Sequence, residues 1–431
     1  MRLMVYSHDG FGLGNIRRML AICSYLLDTT PGLSILLVSG SPVVHSFRMP
    51  QGLDYIKLPC LGRSQSGELS AKYLGTATDE TLKLRSELIK AAAINFKSDL
   101  LLVDKKPYAL QGELKDTLEY LKAYYPQTKV VLLLRDILDT PEATIKDWHK
   151  HRYYEGTEMF YDQVLVVGMP EIFDIAKEYQ FPDAIAQKVH YCGYIRRQPG
   201  CKPRQILRQE LQVNPDEQLV LVTPGGGGDG YRLVNTYLSG LAQLPSQRSI
   251  KSLIVGEPEM PLIEMEALYQ VAAPYPQVQI REFTNDMMSY MEAADAVVSI
   301  AGYNTICEIL TFSKRAVLVP RTQPVKEQLI RAERMASLGL FKAIHPDVLT
   351  PENLMQALLE QLNNESNPLA PVTRLDLDAL PRIASHFHDL LGKETQGRTV
   401  TSYSCQSPYW FAVNSKSAIS SENILPVQKK Y

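Results

Sequence analysis

Gln218-Leu219-Val220-Leu221-Val222-Thr223-Pro224-Gly225-Gly226-Gly227-Gly228-Asp229-Gly230-Tyr231 decides how the rest of this chain is read. The run from Gln218 to Thr223 is apolar over the length of a buried strand and stops at a proline followed by four glycines. A helix is predicted to begin near Tyr231. Ordering four consecutive glycines carries a heavy entropic cost. The run makes sense if several backbone N–H groups must converge on phosphate oxygens at the mouth of a helix. No Lys-Ser/Thr pair follows, so the turn is not a P-loop. The expectation is a diphosphate held by Gly225, Gly226, Gly227 and Gly228, with a plain flexible loop as the alternative.

The unit of strand, small-residue turn and helix recurs along the chain. At the N-terminus a short apolar strand leads into Ser7-His8-Asp9-Gly10-Phe11-Gly12-Leu13-Gly14-Asn15 and a helix with an apolar face at Met19, Leu20, Ile22, Cys23 and Leu26. The dinucleotide fingerprint GxGxxG fails here, because Arg17 stands where the third glycine belongs, and no acid follows the second strand. A nicotinamide enzyme is disfavoured. Farther on, Ala296-Val297-Val298-Ser299-Ile300-Ala301-Gly302-Tyr303-Asn304-Thr305-Ile306-Cys307-Glu308 repeats the unit. Glu308 falls about one and a half turns into its helix, where a carboxylate can accept hydrogen bonds from both hydroxyls of a ribose. Its alternative is an acid favoured by the helix dipole. A fourth unit carries Glu327 and Gln328 at a helix start, able to grip sugar hydroxyls or simply to cap the helix.

Strands are predicted at 3–7, 34–38, 100–103, 129–134, 163–167 and 188–191, then at 218–223, 252–255, 278–281, 296–299 and 316–319. Helical patterns between them give parallel α/β sheets. The Gly/Pro-rich segment 193–203 reads as a linker. The chain therefore divides into a domain over 1–195, a second over 196–370, a C-terminal helix within 371–392 packing back on the first domain, and a Ser/Thr-rich tail over 393–431 read as disordered. Charges follow the predicted strands at Lys105, Arg135 and Asp136, at the carboxyl ends where open α/β sheets bind ligands. Structural ion pairing is the alternative for all three. Asp376 and Asp378 read as helix-capping acids, not metal ligands.

Composition sets the outer bounds. With 45 Lys+Arg against 47 Asp+Glu, the formal charge of −2 gives no bulk attraction to nucleic acid. The six cysteines form no CxxC pair, which disfavours a zinc knuckle or a disulfide framework and fits a reducing compartment. The first apolar stretch is too short for a signal peptide, and no window supplies the ~18 apolar residues of a membrane span. A cytoplasmic protein is expected.

The order of these motifs resembles the GT-B glycosyltransferases of the family-28 kind, the MurG-like enzymes that use UDP-sugars. The resemblance implies two Rossmann-like domains facing each other across a cleft. It assigns Gly225 to Gly228 to the donor diphosphate, Ser299, Gly302, Asn304, Thr305 and Glu308 to the nucleoside, and Glu327 and Gln328 to the donor sugar. Arg196, in a segment similar to the family's interdomain Gly-Asn-Pro-Val-Arg, is assigned to the donor phosphate. The first turn adds Gly12, Gly14 and Asn15 on the donor side. Where the family carries a Gly-His pair this chain has Gly14-Asn15, and asparagine takes no proton, so His8 and Asp136 become the base candidates. An ordinary loop histidine is the alternative for His8. Asp9, Lys105 and Arg135 are the acceptor-side candidates. The implied activity is transfer of an N-acetylhexosamine or hexose from a UDP-sugar to a hydroxyl acceptor, with inversion, without metal, and with no cofactor beyond the UDP-sugar co-substrate. The acceptor stays open: a lipid-linked one, reached by peripheral contact with the inner face of the membrane, is expected if the helix from Ile16 to Leu27, with Arg17 and Arg18 at its start, presents its apolar face to a membrane, and the alternative is that this face packs on the sheet. A UDP-sugar epimerase and a non-catalytic sugar-nucleotide binder are the competing classes.

Overall fold

The computed structural model describes residues 1–8, 14–63, 69–225, 230–243, 249–256, 260–284, 286–364 and 375–392. The tail expected over 393–431 lies outside the described residues. Two parallel sheets are present. The first has the order β3-β2-β1-β6-β7-β8-β9, built from β1 (Arg2–Ser7), β2 (Ser34–Ser39), β3 (Leu53–Lys57), β6 (Leu100–Asp104), β7 (Lys129–Arg135), β8 (Gln163–Val167) and β9 (Val189–Tyr191). A small hairpin, β4 (Leu61–Arg63) with β5 (Leu69–Ala71), lies between β3 and β6 in sequence. The second sheet has the order β12-β11-β10-β13-β14-β15, from β10 (Gln218–Thr223), β11 (Ile250–Val255), β12 (Val278–Arg281), β13 (Ala296–Ser299), β14 (Arg315–Leu318) and β15 (Lys342–Ala343).

The central strands are buried on both faces, as their continuous apolar runs require. In β10 the faces alternate: Leu219 and Leu221 join the core shared with the first domain, while Val220 and Val222 pack with Val234, Tyr237 and Leu238 on the other side. Every predicted strand is present, with ends displaced by no more than two residues. The sequence reading missed β3, the hairpin and β15, which are edge or isolated strands where polar residues break the apolar run.

The helices that bear on the site are α1 (Gly14–Thr29), α2 (Thr78–Phe96), α3 (Tyr231–Leu241), α4 (Tyr303–Thr311), α5 (Glu327–Ser337) and α6 (Ala379–Leu390). The chain passes between the domains twice, and the two crossings are hydrogen-bonded to each other. Tyr194 N–H donates to the Asp376 carbonyl at 2.8 Å, and Arg196 N–H to that of Leu377 at 3.1 Å. Beyond the second crossing α6 lies on α1, where Thr30 Oγ1 and His388 Nε2 are 3.1 Å apart. Gly193 begins the first crossing at φ +82°, with Asp376 so close that a Cβ would meet its carbonyl oxygen at 2.7 Å. The expected capping role of the two acids gives way to this ribbon. Asp376 pairs with Arg382, its Oδ1 accepts the Asp378 N–H at 2.9 Å, and the Asp378 side chain makes no cap bond.

Candidate active site between the domains

Both sheets reverse their strand order beside the first strand of the domain, between β1 and β6 and between β10 and β13. Loops diverge at such switch points and leave a crevice at the carboxyl ends. On the second domain, Gly225 leaves β10 at φ +98°, and a Cβ there would meet Ile300 at 3.0 Å, so only glycine suits it. Gly226, Gly227 and Gly228 lie outside the described residues. Ser299 is buried with its hydroxyl donated to the Thr223 carbonyl, which fastens β13 to β10. Gly302 is the N-cap residue of α4, Asn304 and Thr305 lie in its first turn, and Glu308 is buried behind them.

On the first domain, β1 runs out at His8, and Gly12 and Asp9 fall outside the described residues. Asn15 donates to the His8 carbonyl at 3.2 Å and accepts from Arg18 at 3.3 Å. It thus positions the turn that carries His8. The His8 Nδ1 is buried without a hydrogen-bond partner. Burial, reinforced by Lys105, Lys106, Arg135 and Arg85, pulls the imidazole well below its ordinary pKa and keeps it neutral. Lys105 leaves β6 at φ +76°, and burial with neighbouring Arg135 lowers its ammonium to about 8 despite Glu327 and Asp104. Asp104 is committed to Arg18 at 2.6 Å. Deeper, Arg85 of α2 grips Glu113 with two bonds of 2.6 and 2.8 Å, and Tyr6 donates to the same carboxylate at 2.5 Å.

The two halves touch directly at their turns. Asn304 Nδ2 donates to the Gly14 carbonyl at 3.0 Å, and Arg17 reaches Glu308 at 3.1 Å. Beside them Arg135 of β7 pairs with Glu327 of α5 at 2.9 Å. Arg331, fully buried one turn farther along α5, holds both oxygens of Asp136 at 2.7 Å, Glu327 at 2.8 Å and the Ala301 carbonyl at 2.8 Å. Burial pushes the Glu327 carboxyl up, but Arg135 and Arg331 outweigh it and hold the group at about 2. Gln328 turns back on its own domain and accepts the Arg321 N–H at 3.1 Å.

Two expectations need correction. Asp136 is no unengaged base: its oxygens are taken by Arg331 and by the Tyr194 hydroxyl at 3.1 Å, so the ion-pair alternative holds. Arg196 projects to solvent and lies 3.7 Å from Asp378 on the crossing ribbon. Its neighbour Arg197 faces the turn that opens α4, bonding Asn304 Oδ1 at 2.5 Å with its Nε buried and unpartnered. In Gly-Asn-Pro-Val-Arg the arginine is the fifth residue, and the fifth from Gly193 is Arg197. Arg17, Arg18 and Arg331 are not among the site residues expected from sequence. The available signal was Arg17-Arg18 in the first turn of a helix, where the dipole disfavours cations unless an anion is near. Among the described residues no cluster of three His, Cys, Asp or Glu side chains is arranged to hold a metal, and no helix is long and apolar enough to cross a membrane.

Residues 219–386 match the model of the Glycosyltransferase family 28 C-terminal domain. Among curated proteins, an uncharacterized glycosyltransferase of Methanopyrus kandleri is 24% identical over 46% of this chain and 53% of its own length. The UDP-N-acetylglucosamine–N-acetylmuramyl-(pentapeptide) pyrophosphoryl-undecaprenol N-acetylglucosamine transferase of Glaesserella parasuis is 29% identical over 35% of this chain and 44% of its own. Its counterpart in Haemophilus ducreyi is 21% identical over 71% of this chain and 83% of its own. The chain thus spans about half the length of the Methanopyrus and Glaesserella relatives. Among solved structures, MurG of Acinetobacter baumannii aligns over 91% of this chain and 99% of its own, at TM-score 0.54 and 17% identity. A UDP-glucosyltransferase of Polygonum tinctorium aligns over 91% and 99%, at TM-score 0.63 and 13% identity. At these identities the likeness establishes the architecture, GT-B.

Proposed function

We propose that this chain, which has the GT-B architecture and matches the Glycosyltransferase family 28 C-terminal domain model over residues 219–386, transfers a hexose or N-acetylhexosamine from a UDP-sugar to a hydroxyl acceptor. The observation that carries this reading is the direct contact of the two glycine turns through Asn304 and Gly14, which brings both switch points to one place. The donor's ribose falls to Glu308, its diphosphate to the Gly225 loop and Arg197, and its sugar to the neighbourhood of Glu327 and Gln328. The acceptor oxygen attacks the anomeric carbon, the bond from that carbon to the diphosphate oxygen breaks, and UDP leaves with the electron pair. The hydroxyl proton passes to the neutral His8 Nδ1. Inversion follows from one displacement. Backbone N–H groups and Arg197 stabilise the charge growing on the leaving group, so the reading requires neither metal nor cofactor.

Lys105, Lys106 and Arg135 lie near His8; Arg135 is paired with Glu327 at 2.9 Å and Lys106 with Asp147 at 3.1 Å, while Asp104 is occupied by Arg18 and Asp136 by Arg331. Lys105 is the cation of this group for which no ion pair is present among the described residues, and it suits an anionic acceptor. The names of the Glaesserella and Haemophilus relatives specify a pyrophosphoryl-undecaprenol acceptor, and a lipid-linked diphosphate of that class suits the charge. The protein then works from the cytoplasm at the inner face of the membrane. A donor screen measuring UDP release, with and without cell lipid extract, tests the proposal. Lipid-dependent release from one UDP-sugar is expected; no release from any donor in either condition overturns it. Incubation with UDP-N-acetylglucosamine alone discriminates the epimerase, which converts it without an acceptor.

A further inference from the structure

The second sheet has a crevice at its other end as well. At the amino ends of β10, β13 and β14, opposite the turns that meet the first domain, a cavity of about 650 Å³ is lined by Arg204, Arg208, Lys314 and Arg315. Arg204 and Arg208 stand one turn apart on the helix Arg204–Glu210, so both reach the same place. Arg204 donates to the carbonyls of Glu292 at 2.8 Å and Ala294 at 3.0 Å and pairs with Asp295. Arg208 donates to the Ala293 carbonyl at 3.2 Å, to Asp295 at 2.8 Å and to the Glu217 carbonyl at 2.7 Å. Lys314 reaches the carbonyls of Glu292 and Ala294, each at 2.7 Å. The carbonyls of 292 to 294 end the helix Met287–Ala293, whose C-terminus carries roughly half a negative charge. Three cations gathered on that half charge and the Asp295 carboxylate exceed what a helix end needs. Asp216 formally offsets Arg315, and the Glu217 carboxylate is turned to the Asn214 N–H at 2.7 Å and the Ser249 hydroxyl at 2.9 Å. Burial, with Arg204 and Arg208 alongside, lowers the Lys314 ammonium to about 8, although Asp295 and Glu292 act in the opposite direction.

We infer that this cavity is a second binding site, for a phosphate monoester, with the phosphate on Arg204 and Lys314 and its organic part against Phe312 and Leu362. Among the described residues Arg204 uses three of its five N–H groups and Lys314 two of its three. The three N–H groups left over equal in number the terminal oxygens of such a phosphate, and charge-assisted bonds to it are the strong kind. The volume is that of a small-molecule site, larger than a bare ion needs, and Phe312 and Leu362 supply its apolar wall. None of these residues belongs to the candidate active site, so the inference stands apart from the UDP-sugar reading.

Calorimetry with phenyl phosphate, inorganic phosphate and benzoate, at pH 8 in two buffers of different ionisation enthalpy, tests this on wild type, Arg204→Gln, Lys314→Gln and Lys105→Gln. The last variant removes the lysine of the candidate active site, whose amine also lies at about 8. Phenyl phosphate is expected to bind with uptake of up to about half a proton, because an ammonium half-charged at pH 8 becomes fully charged beside the anion. For the same reason its affinity should fall as pH rises above 8. Arg204→Gln and Lys314→Gln are each expected to weaken it about tenfold, the size of one charge-assisted hydrogen bond, and Lys314→Gln to abolish the uptake. Lys105→Gln should leave both in place, and inorganic phosphate, without the ring, should bind several-fold more weakly. Absence of phenyl phosphate binding to wild type overturns the inference, as does binding that survives Lys314→Gln unchanged but is lost in Lys105→Gln. Benzoate binding as tightly as phenyl phosphate overturns the phosphate assignment. If the two cavity variants fail to fold, the Lys105→Gln protein decides: binding with proton uptake upholds the site, and binding without uptake, or none, overturns it.

Discussion

At its turns the second domain presents backbone and small residues and keeps its charges, Glu308, Glu327 and Arg331, for the boundary between the domains, whereas the first presents charged side chains at the turns themselves. Gly225, Gly302 and the opening turn of α4 require little beyond a strand, a turn and a helix in sequence. His8, Arg18, Asp104, Lys105 and Arg135 require instead that several strands end at one level and that each charge meet a distant partner. A backbone-made site is general, because phosphates and N–H groups fit one another whatever the rest of the ligand is. A side-chain-made site is particular, and it is where this chain's own acceptor would be written. The meeting surface between the two is an ion network that neither domain can complete by itself.

The sharpest way to break this contrast is to remove His8, the base proposed above on the charged side. His8→Gln is expected to lower the turnover of UDP release by about 10²–10⁴-fold while UDP affinity stays at the wild-type value. A loss below threefold would transfer the base role elsewhere. Because the His8 pKa is depressed, its neutral form persists as pH falls through 6.5, so turnover should show no acid limb there. A limb at the ordinary histidine value would contradict the buried environment.

The shared network comes next. Arg331→Met strands Asp136 and loosens Glu327, and urea unfolding should show a loss of about 3–5 kcal/mol. The double variant Asp136→Asn, Arg331→Met should recover part of this loss, since it leaves no unpaired buried charge. Equal stabilities for single variant and wild type would mean the domains do not depend on the pair.

Glu327 gives a smaller, pH-dependent effect. Its folded pKa of about 2 lies below the unfolded carboxylate value, so its contribution is complete above about pH 4.5 and is lost as pH falls toward 2. The amount is at most roughly 3 kcal/mol, and Glu327→Gln should flatten that part of the acid-unfolding curve. The smallest effect belongs to the backbone-dominated side. Thr350 caps the helix Pro351–Asn363 with a capping box, and Thr350→Ala should cost about 1 kcal/mol without changing turnover. A change in turnover would show that the second domain's outer helices reach the chemistry.

The same contrast explains what could be read from the amino-acid order. Parallel strands buried on both faces announce themselves as apolar runs, and a small-residue turn after such a run marks where a loop leaves the sheet, so both sheets and the turns at their carboxyl ends were legible. For Asp136 the two readings, base or ion-pair member, could not be separated locally because its partner, Arg331, lies 195 residues away. Arg135 and Glu327 are separated by 192 residues. Nothing local distinguishes an acid awaiting a proton from one already paired across a domain boundary. Arg197 was missed for a narrower reason: adjacent arginines in extended backbone point to opposite sides, and only the crossing ribbon shows which one faces the turn. Edge strand β3 escaped because Asp54 and Lys57 interrupt its apolar pattern.

The paired crossings at 194–196 and 376–378 make the first domain discontinuous, with the second inserted before the first is finished. During synthesis the sheet of residues 2–191 emerges long before α6, which covers α1. The ribosome must therefore complete the entire second domain before the first can close its surface. A chain truncated after residue 370 and released should hold a folded second domain beside a first domain with α1 uncovered, a natural stage for a chaperone to engage.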